Sequence, residues 1–405
     1  MPPRANGRRS LTCVFIKTHA ELNVERTNTI VQTSPHNNPH VSAATRSSHP
    51  LHLVVRRIRA HYRHMSRKKG YPVSHLWIAG LVWSAILGTN SRQLFAAEDS
   101  KNPMRSFIEQ HGYLCVPLKH TGLNQFQLKG KLDGAAGVVL VDTGAPKTAV
   151  DRQKASNLER LRKQRTSGRG LFGYAPSEVE FVTIDSVQLE GISISNVTAQ
   201  VRDLRHREVH TGSRIPRPEP ELGEDLVLGM DLLAALHGVM DCGAAVLYVR
   251  AALPGPELAR SIDQSFCQSG YVCIGLTGYG GWLLVDTVVN EKRAVFVLDS
   301  GAAVTQMDLN QLQAFQLMTR GTIGRMSDIN AHHSELSYVM LNSFKIGAYE
   351  RRKFPVGVID LHLPNAFFEK SNHPPVLGMI GPDLLTRAGA LIDCAGRKLY
   401  LRPEK

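Results

Sequence analysis

Nowhere in this 405-residue chain do apolar residues run together for the roughly twenty positions a helix needs to cross a bilayer; the longest such stretch, Leu76 to Gly88, has about thirteen. The six cysteines include no Cys-x-x-Cys pair, and His206 and His210, four apart, lack the glutamate of a metalloprotease helix. Glycine-rich phosphate loops and cofactor attachment points are absent as well. The expectation is therefore no metal and no cofactor, with any chemistry carried by side chains and water. Acidic residues are scarce in one region only. The chain has 48 Lys and Arg against 35 Asp and Glu, but residues 1–97 alone carry fourteen basic side chains against two acidic ones. The remainder is close to neutral and shows no basic patch with interleaved aromatics, so no nucleic-acid partner is expected.

That basic leader has an internal order. Met65-Ser-Arg-Lys-Lys precedes the apolar run, and Leu94-Phe95-Ala96-Ala97 follows it. A basic start, a short apolar core and small residues in sequence read as an export signal over 65–97, cleaved after Ala96 or Ala97. Membrane contact is then transient, unless the signal stays uncleaved and tethers the protein. Residues 1–64, polar and without periodicity, are either a disordered extension or the result of a start assigned too far upstream. The expected location is exported: periplasm, cell envelope or the outside of the cell.

What the chain does have is a duplication. Val-Val-Leu-Val-Asp-Thr-Gly-Ala (138–145) returns as Val-Phe-Val-Leu-Asp-Ser-Gly-Ala (295–302), which places Asp142 and Asp299 at the ends of matching apolar runs. Val182-Thr-Ile-Asp-Ser186 and Val339-Met-Leu-Asn-Ser343 keep the same 157-residue offset. Gly112-Tyr113 recurs at Gly270-Tyr271, and Leu228-Gly-Met-Asp-Leu-Leu233 at Ile380-Gly-Pro-Asp-Leu-Leu385. A whole domain has been repeated. Two acids delivered on equivalent scaffolds suit a site in which a pair of carboxylates shares one proton. Such a pair supplies the base that water needs and the acid that an amide carbonyl or leaving nitrogen needs. Gly144 and Gly301 leave room for the two loops to approach, and the hydroxyls of Thr143 and Ser300 can bond across the join. Thr148 and Thr305, six residues after each aspartate, are expected to satisfy nearby backbone groups.

On these residues the chain resembles the retropepsin-like aspartic peptidases, in a form with two domains fused in tandem over about 110–250 and 268–402. The resemblance implies an all-β fold, two acid-protease β-barrel domains forming a pseudo-twofold bilobal unit. It implies an aspartic endopeptidase with Asp142 and Asp299 as the catalytic pair. By the same resemblance, glycine-bearing flaps fall at Gly170, Leu171, Phe172 and Gly173 and at Gly321, Thr322, Ile323 and Gly324, closing over an extended peptide or protein substrate. Since each half brings one acid, a monomer suffices. A module that keeps the cleft but only binds peptide is the alternative.

The flanking segments, short runs rich in Val, Ile and Leu bounded by Gly, Asn and Asp, read as strands, and short helices are expected at 153–163, 231–236 and 309–314. Leu253-Pro-Gly-Pro256 marks a linker without regular structure, dividing a first domain (98–255) from a second (256–405). Cys115 and Cys273 occupy equivalent places, as do Cys242 and Cys394. They either pair within each domain, Cys115 with Cys242 and Cys273 with Cys394, or serve as small buried residues, and Cys267 is left free. The duplicated Asp231 and Asp383 read as ordinary helix-start residues.

Overall fold

Apolar patterning sets the strands of each half, and two kinds appear. Ile192–Arg202 alternates buried and part-exposed residues, as a strand with one face in the core must. By contrast Val139, Leu140 and Val141 are all buried, as are Leu226–Leu228 and Gly378–Ile380 in full. These strands are covered on both faces, so their sequences are continuously apolar. The computed structural model describes residues 30–33, 108–156, 161–164, 168–169, 174–175, 179–204, 210–211, 223–250, 255–327, 333–361, 365–366, 368–369 and 373–403. The segment read as an export signal lies outside them. Among the described residues no helix is long and apolar enough to cross a membrane.

The first half contributes β1 (Phe126–Leu132), β2 (Ala135–Val141), β3 (Ala149–Asp151), β4 (Val179–Leu189), β5 (Ile192–Arg202) and β6 (Leu226–Leu228). β1 pairs with β2, β2 runs parallel to β6, and β6 pairs with β3. β3 runs parallel to β5, β5 pairs with β4, and β4 returns to β1, which closes a barrel. The second half repeats this with β7 (Trp282–Val289), β8 (Lys292–Leu298), β9 (Gln306–Asp308), β10 (His333–Ile346), β11 (Tyr349–Ile359) and β12 (Gly378–Ile380). Every pairing of the first ring recurs with six added to each label. The short strand Ile30–Thr33 adds antiparallel to the start of β5.

The turns explain why the duplicated polar residues sit where they do. Asp133-Gly134 and Asn290-Glu291 join the first two strands of each barrel with positive φ at both positions, the backbone a two-residue hairpin with a right-handed twist requires. Each turn also holds a neighbouring strand. Asp133 Oδ1 accepts from the Ser186 N–H at 2.7 Å, and Asn290 Oδ1 accepts from the Asn342 and Ser343 N–H groups at 2.9 and 3.1 Å.

A separate six-stranded antiparallel sheet joins the lobes, in the order Val272–Gly275, Lys398–Leu401, Leu391–Asp393, Val239–Asp241, Val246–Val249, Leu114–Pro117. The two halves meet where Met240 faces Ile392. One hydrophobic cluster continues through both lobes, from Val116 and Phe126 to Leu399 and Leu401. All-β architecture with two barrels in a pseudo-twofold arrangement is thus what the chain adopts.

Several local expectations are corrected. The helix after Asp151 ends at Ala155, and Leu161–Gln164 is a strand. Leu309–Gln311 forms a single 3-10 turn, whereas Met230–Ala235 is helical as expected. Leu253 and Pro254 of the expected linker lie outside the described residues, and at its far end Pro256 opens a helix, Pro256–Gln268, with Gly255 as its N-cap. Proline is well suited to the first helical position, where no N–H is needed. Ile262 and Phe266 of this helix pack on Tyr113, Tyr248, Tyr271 and Tyr400. Cys267 at its end is not free: it is bonded to Cys273, with Cα atoms 6.0 Å apart, while Cys115, Cys242 and Cys394 form no disulfide among the described residues. The expected pairs fail because their members belong to different cores. Cys242 and Cys394 are buried in the large cluster, whereas Cys115 and Cys273 pack against the tyrosine-rich one.

Candidate active site

Strands β2 and β8 end at Asp142 and Asp299, and the backbone then turns back immediately. Asp142 Oδ1 accepts from the N–H groups of Gly144 (2.8 Å) and Ala145 (3.1 Å), and Asp299 Oδ1 accepts from Gly301 (3.0 Å) and Ala302 (2.9 Å). Each aspartate N–H is held by the strand beside it, donating to Leu228 O and Ile380 O respectively. The carboxylates are thus oriented by their own loops before any partner arrives.

The loops then lock together. The Thr143 N–H donates to Ser300 Oγ and the Ser300 N–H to Thr143 Oγ1, both at 3.0 Å. In return the Thr143 hydroxyl donates to Leu298 O at 3.0 Å and the Ser300 hydroxyl to Val141 O at 2.9 Å. Both side chains are fully buried, so four cross-lobe hydrogen bonds form away from competing water. A Cβ on Gly144 would collide with the Asp299 carboxylate, and one on Gly301 with that of Asp142. Only glycine permits this approach, and it places the two acids side by side with a hydrogen bond between them.

Asp142 is buried and Asp299 part-exposed. Burial, and next the Asp142 charge, push the Asp299 carboxyl up to about 8, against the lowering effect of the Ala302 and Gly301 N–H groups. Two adjacent acids that cannot both ionise retain one proton between them near neutrality. Such a pair can take a proton from water and deliver one to a carbonyl oxygen.

Behind the loops a second set of groups repeats. Thr148 donates from N and Oγ1 to Asp231 Oδ1, at 2.8 and 2.7 Å, and its hydroxyl accepts from the Gly229 N–H. Thr305 donates twice to Asp383 Oδ1, at 2.7 Å each, and accepts from the Gly381 N–H. The threonines do satisfy backbone groups. Asp231 and Asp383, read from the sequence as helix-start residues, additionally anchor the segment leading away from each acid. Their recurrence two residues after Gly229 and Gly381 is the signal that carried this. Burial raises the Asp383 carboxyl, opposed mainly by its Thr305 bonds.

Two further contacts were missed. The side-chain amide of Gln125 donates to Gly301 O, and the Trp282 indole donates to Gly144 O at 2.8 Å. These residues are 157 apart, like the aspartates, but their types differ, so identity matching passes over them. Of the expected flaps, Thr322, Ile323 and Gly324 lie on the ascending strand Thr322–Ser327 of a hairpin with β10, with Gly321 at positive φ just before it. Gly170, Leu171, Phe172 and Gly173 lie outside the described residues, between Gly168–Arg169 and Tyr174–Ala175, which pair with each other.

A protein-family model described as "Aspartyl protease" matches residues 128–232 and 285–383, together just over half of the chain. Each stretch contains one of the two acids. The chain belongs to the aspartyl protease family, as a tandem retropepsin-like member. Among solved structures it is similar to the aspartic proteinase from Irpex lacteus (11% identity, TM-score 0.38, covering 73% of this chain and 98% of that one). It is also similar to a retropepsin-like aspartic protease from Rickettsia conorii (18% identity, TM-score 0.22, covering 34% and 88%). No curated protein matches.

Proposed function

We propose that this protein is an aspartic endopeptidase that hydrolyses peptide bonds with water activated between Asp142 and Asp299, both from one chain. The observation that supports it most is the hydrogen-bonded pair of carboxyls, with Asp299 held protonated near neutrality by burial and by its neighbour. The ionised carboxyl takes a proton from water as the water oxygen attacks the scissile carbonyl. The protonated one gives its proton to the carbonyl oxygen. Collapse of the resulting gem-diol breaks the C–N bond: one of its hydroxyls returns a proton to the carboxylate that protonated the carbonyl oxygen, while the other carboxyl gives its proton to the leaving nitrogen. No reacting atom needs a metal or a nucleotide in this sequence of steps.

Backbone groups fixed by the four cross-lobe hydrogen bonds keep the acids in place through both steps, so little reorganisation accompanies charge movement. We place the substrate as an extended peptide across the cleft, covered by the hairpins, and the protein as an exported monomer. Mass spectrometry of a mixed peptide library incubated with the chain between pH 4 and pH 7 tests the function. Discrete internal cleavages are expected. A folded protein that leaves the library intact at every pH would show that the cleft only binds.

A further inference from the structure

We infer that Trp282 gives the cleft a one-sided preference: an aromatic side chain on the substrate residue flanking the scissile bond on the second-lobe side, with no such preference on the other. The inference rests on the peptidase reading and specifies its substrate. Gln125 and Trp282 perform the same task, each donating to the glycine carbonyl two residues beyond the opposite lobe's aspartate. Beyond that donor they differ in kind. Gln125 offers a small amide, and Trp282 the edge and face of an indole.

The indole is part of a larger wall. Its ring lies 5.6 Å from that of Phe368, which stacks at 5.5 Å on Tyr279, and His373 lies 4.5 Å from Tyr279. Phe368 is buried, while Tyr279, Trp282 and His373 are each part-exposed, so the wall has an inner anchor and an accessible face. It rests on a cluster containing Leu284, Leu336, Leu361 and Met379. The first-lobe counterpart consists of Leu140, Ala149, Leu204 and Val227, and no aromatic side chain belongs to it among the described residues. At the position 157 residues before Tyr279 stands Gly122. The turn between Tyr279 and Trp282 lies against the other lobe's acid-bearing loop, since a Cβ on Gly281 would meet Pro146.

A twofold through the carboxyl pair exchanges the two sides of an extended peptide, so a feature present in one lobe only is felt on one side only. Partly exposed aromatic rings favour another ring in offset or edge-on contact, at a gain on the order of tenfold in binding. An aromatic residue at one flank of the cleaved bond is therefore favoured over an aliphatic or polar one.

The test profiles library cleavage by the full chain, by Trp282→Gln, and by the exchange variant Gln125→Trp/Trp282→Gln. Glutamine at 282 keeps an amide donor for Gly144 O, as Gln125 does for Gly301 O, so the brace survives and only the indole is lost. The wild type should enrich aromatics about tenfold at one flanking position. Such cleavage as Trp282→Gln retains should lack that enrichment, and the exchange should move it across the bond. Enrichment equal on both sides, or unchanged in Trp282→Gln, overturns the inference and leaves the peptidase reading intact. A second readout does not depend on variants at 282. With Trp77→Phe and Trp83→Phe, Trp282 is the sole indole of the chain. Adding Asp142→Asn to prevent turnover, its fluorescence should respond saturably to a Phe-bearing peptide and not to the Ala version. Equal responses overturn the inference. A Phe-selective response in a protein whose wild type cleaves nothing overturns the peptidase reading alone.

Discussion

Replacing Asp299 with asparagine should remove a large part of the protein's loss of stability between acidic and neutral pH. An aspartate ordinarily ionises near 3.8, and this one is raised to about 8. Between those values the folded state binds a proton that the unfolded chain has released. Stability from this group is therefore complete below about pH 4 and is lost as pH rises toward 8. Each unit corresponds to about 1.36 kcal/mol, so the three units from pH 4 to pH 7 amount to about 4 kcal/mol. Because Asp299 is partly open to solvent, roughly 2–4 kcal/mol is the working range. Asparagine is neutral throughout. Its oxygen can still accept from the Gly301 and Ala302 N–H groups, and its amide can donate to Asp142 where the shared proton was. Urea unfolding of both proteins at pH 4, 5.5 and 7 measures the effect. Wild-type stability relative to the variant should fall by that amount across the series. A relative stability constant to within about 0.5 kcal/mol would refute the raised, proton-sharing carboxyl.

Three other outcomes follow from named contacts. Thr143→Val, nearly isosteric, removes the hydroxyl that donates to Leu298 O and accepts from Ser300 N; leaving both buried groups unpaired should cost about 2–4 kcal/mol in urea unfolding. Gly301→Ala places a methyl against the Asp142 carboxylate, so peptide cleavage should fall by on the order of a hundredfold while circular dichroism stays that of the folded protein. Cys267→Ser opens a link between residues only six apart, which should lower stability by about 2 kcal/mol and leave cleavage kinetics unchanged.

The repeat made most of the architecture legible because duplicated strands keep both their apolar pattern and their spacing. Asp142, Asp299 and the hydroxyls beside them were readable for the same reason: chemistry constrains residue type at those positions. Legibility ends where a position is shared but its chemistry is not. Gln125 and Trp282 hold equivalent places and make equivalent bonds through unlike side chains, so only the offset betrays them. The linker helix was hidden by Pro254-Gly255-Pro256, since proline both ends and begins helices and local sequence does not say which. For the cysteines, equivalence in the repeat said nothing about which face of a sheet each occupies. That depends on how the joining sheet is packed, with Cys242 and Cys394 turned toward one core and Cys115 and Cys273 toward another.

The central claim is that one chain brings two acids into a single water-activating pair. Its most direct test compares peptide cleavage by the wild type with that by Asp142→Asn and by Asp299→Asn, each confirmed as folded. Loss of cleavage in both variants, each by itself, is the result this account predicts. Undiminished cleavage in either one would contradict it, for then a single carboxyl would suffice and the pairing of the two loops would have another purpose.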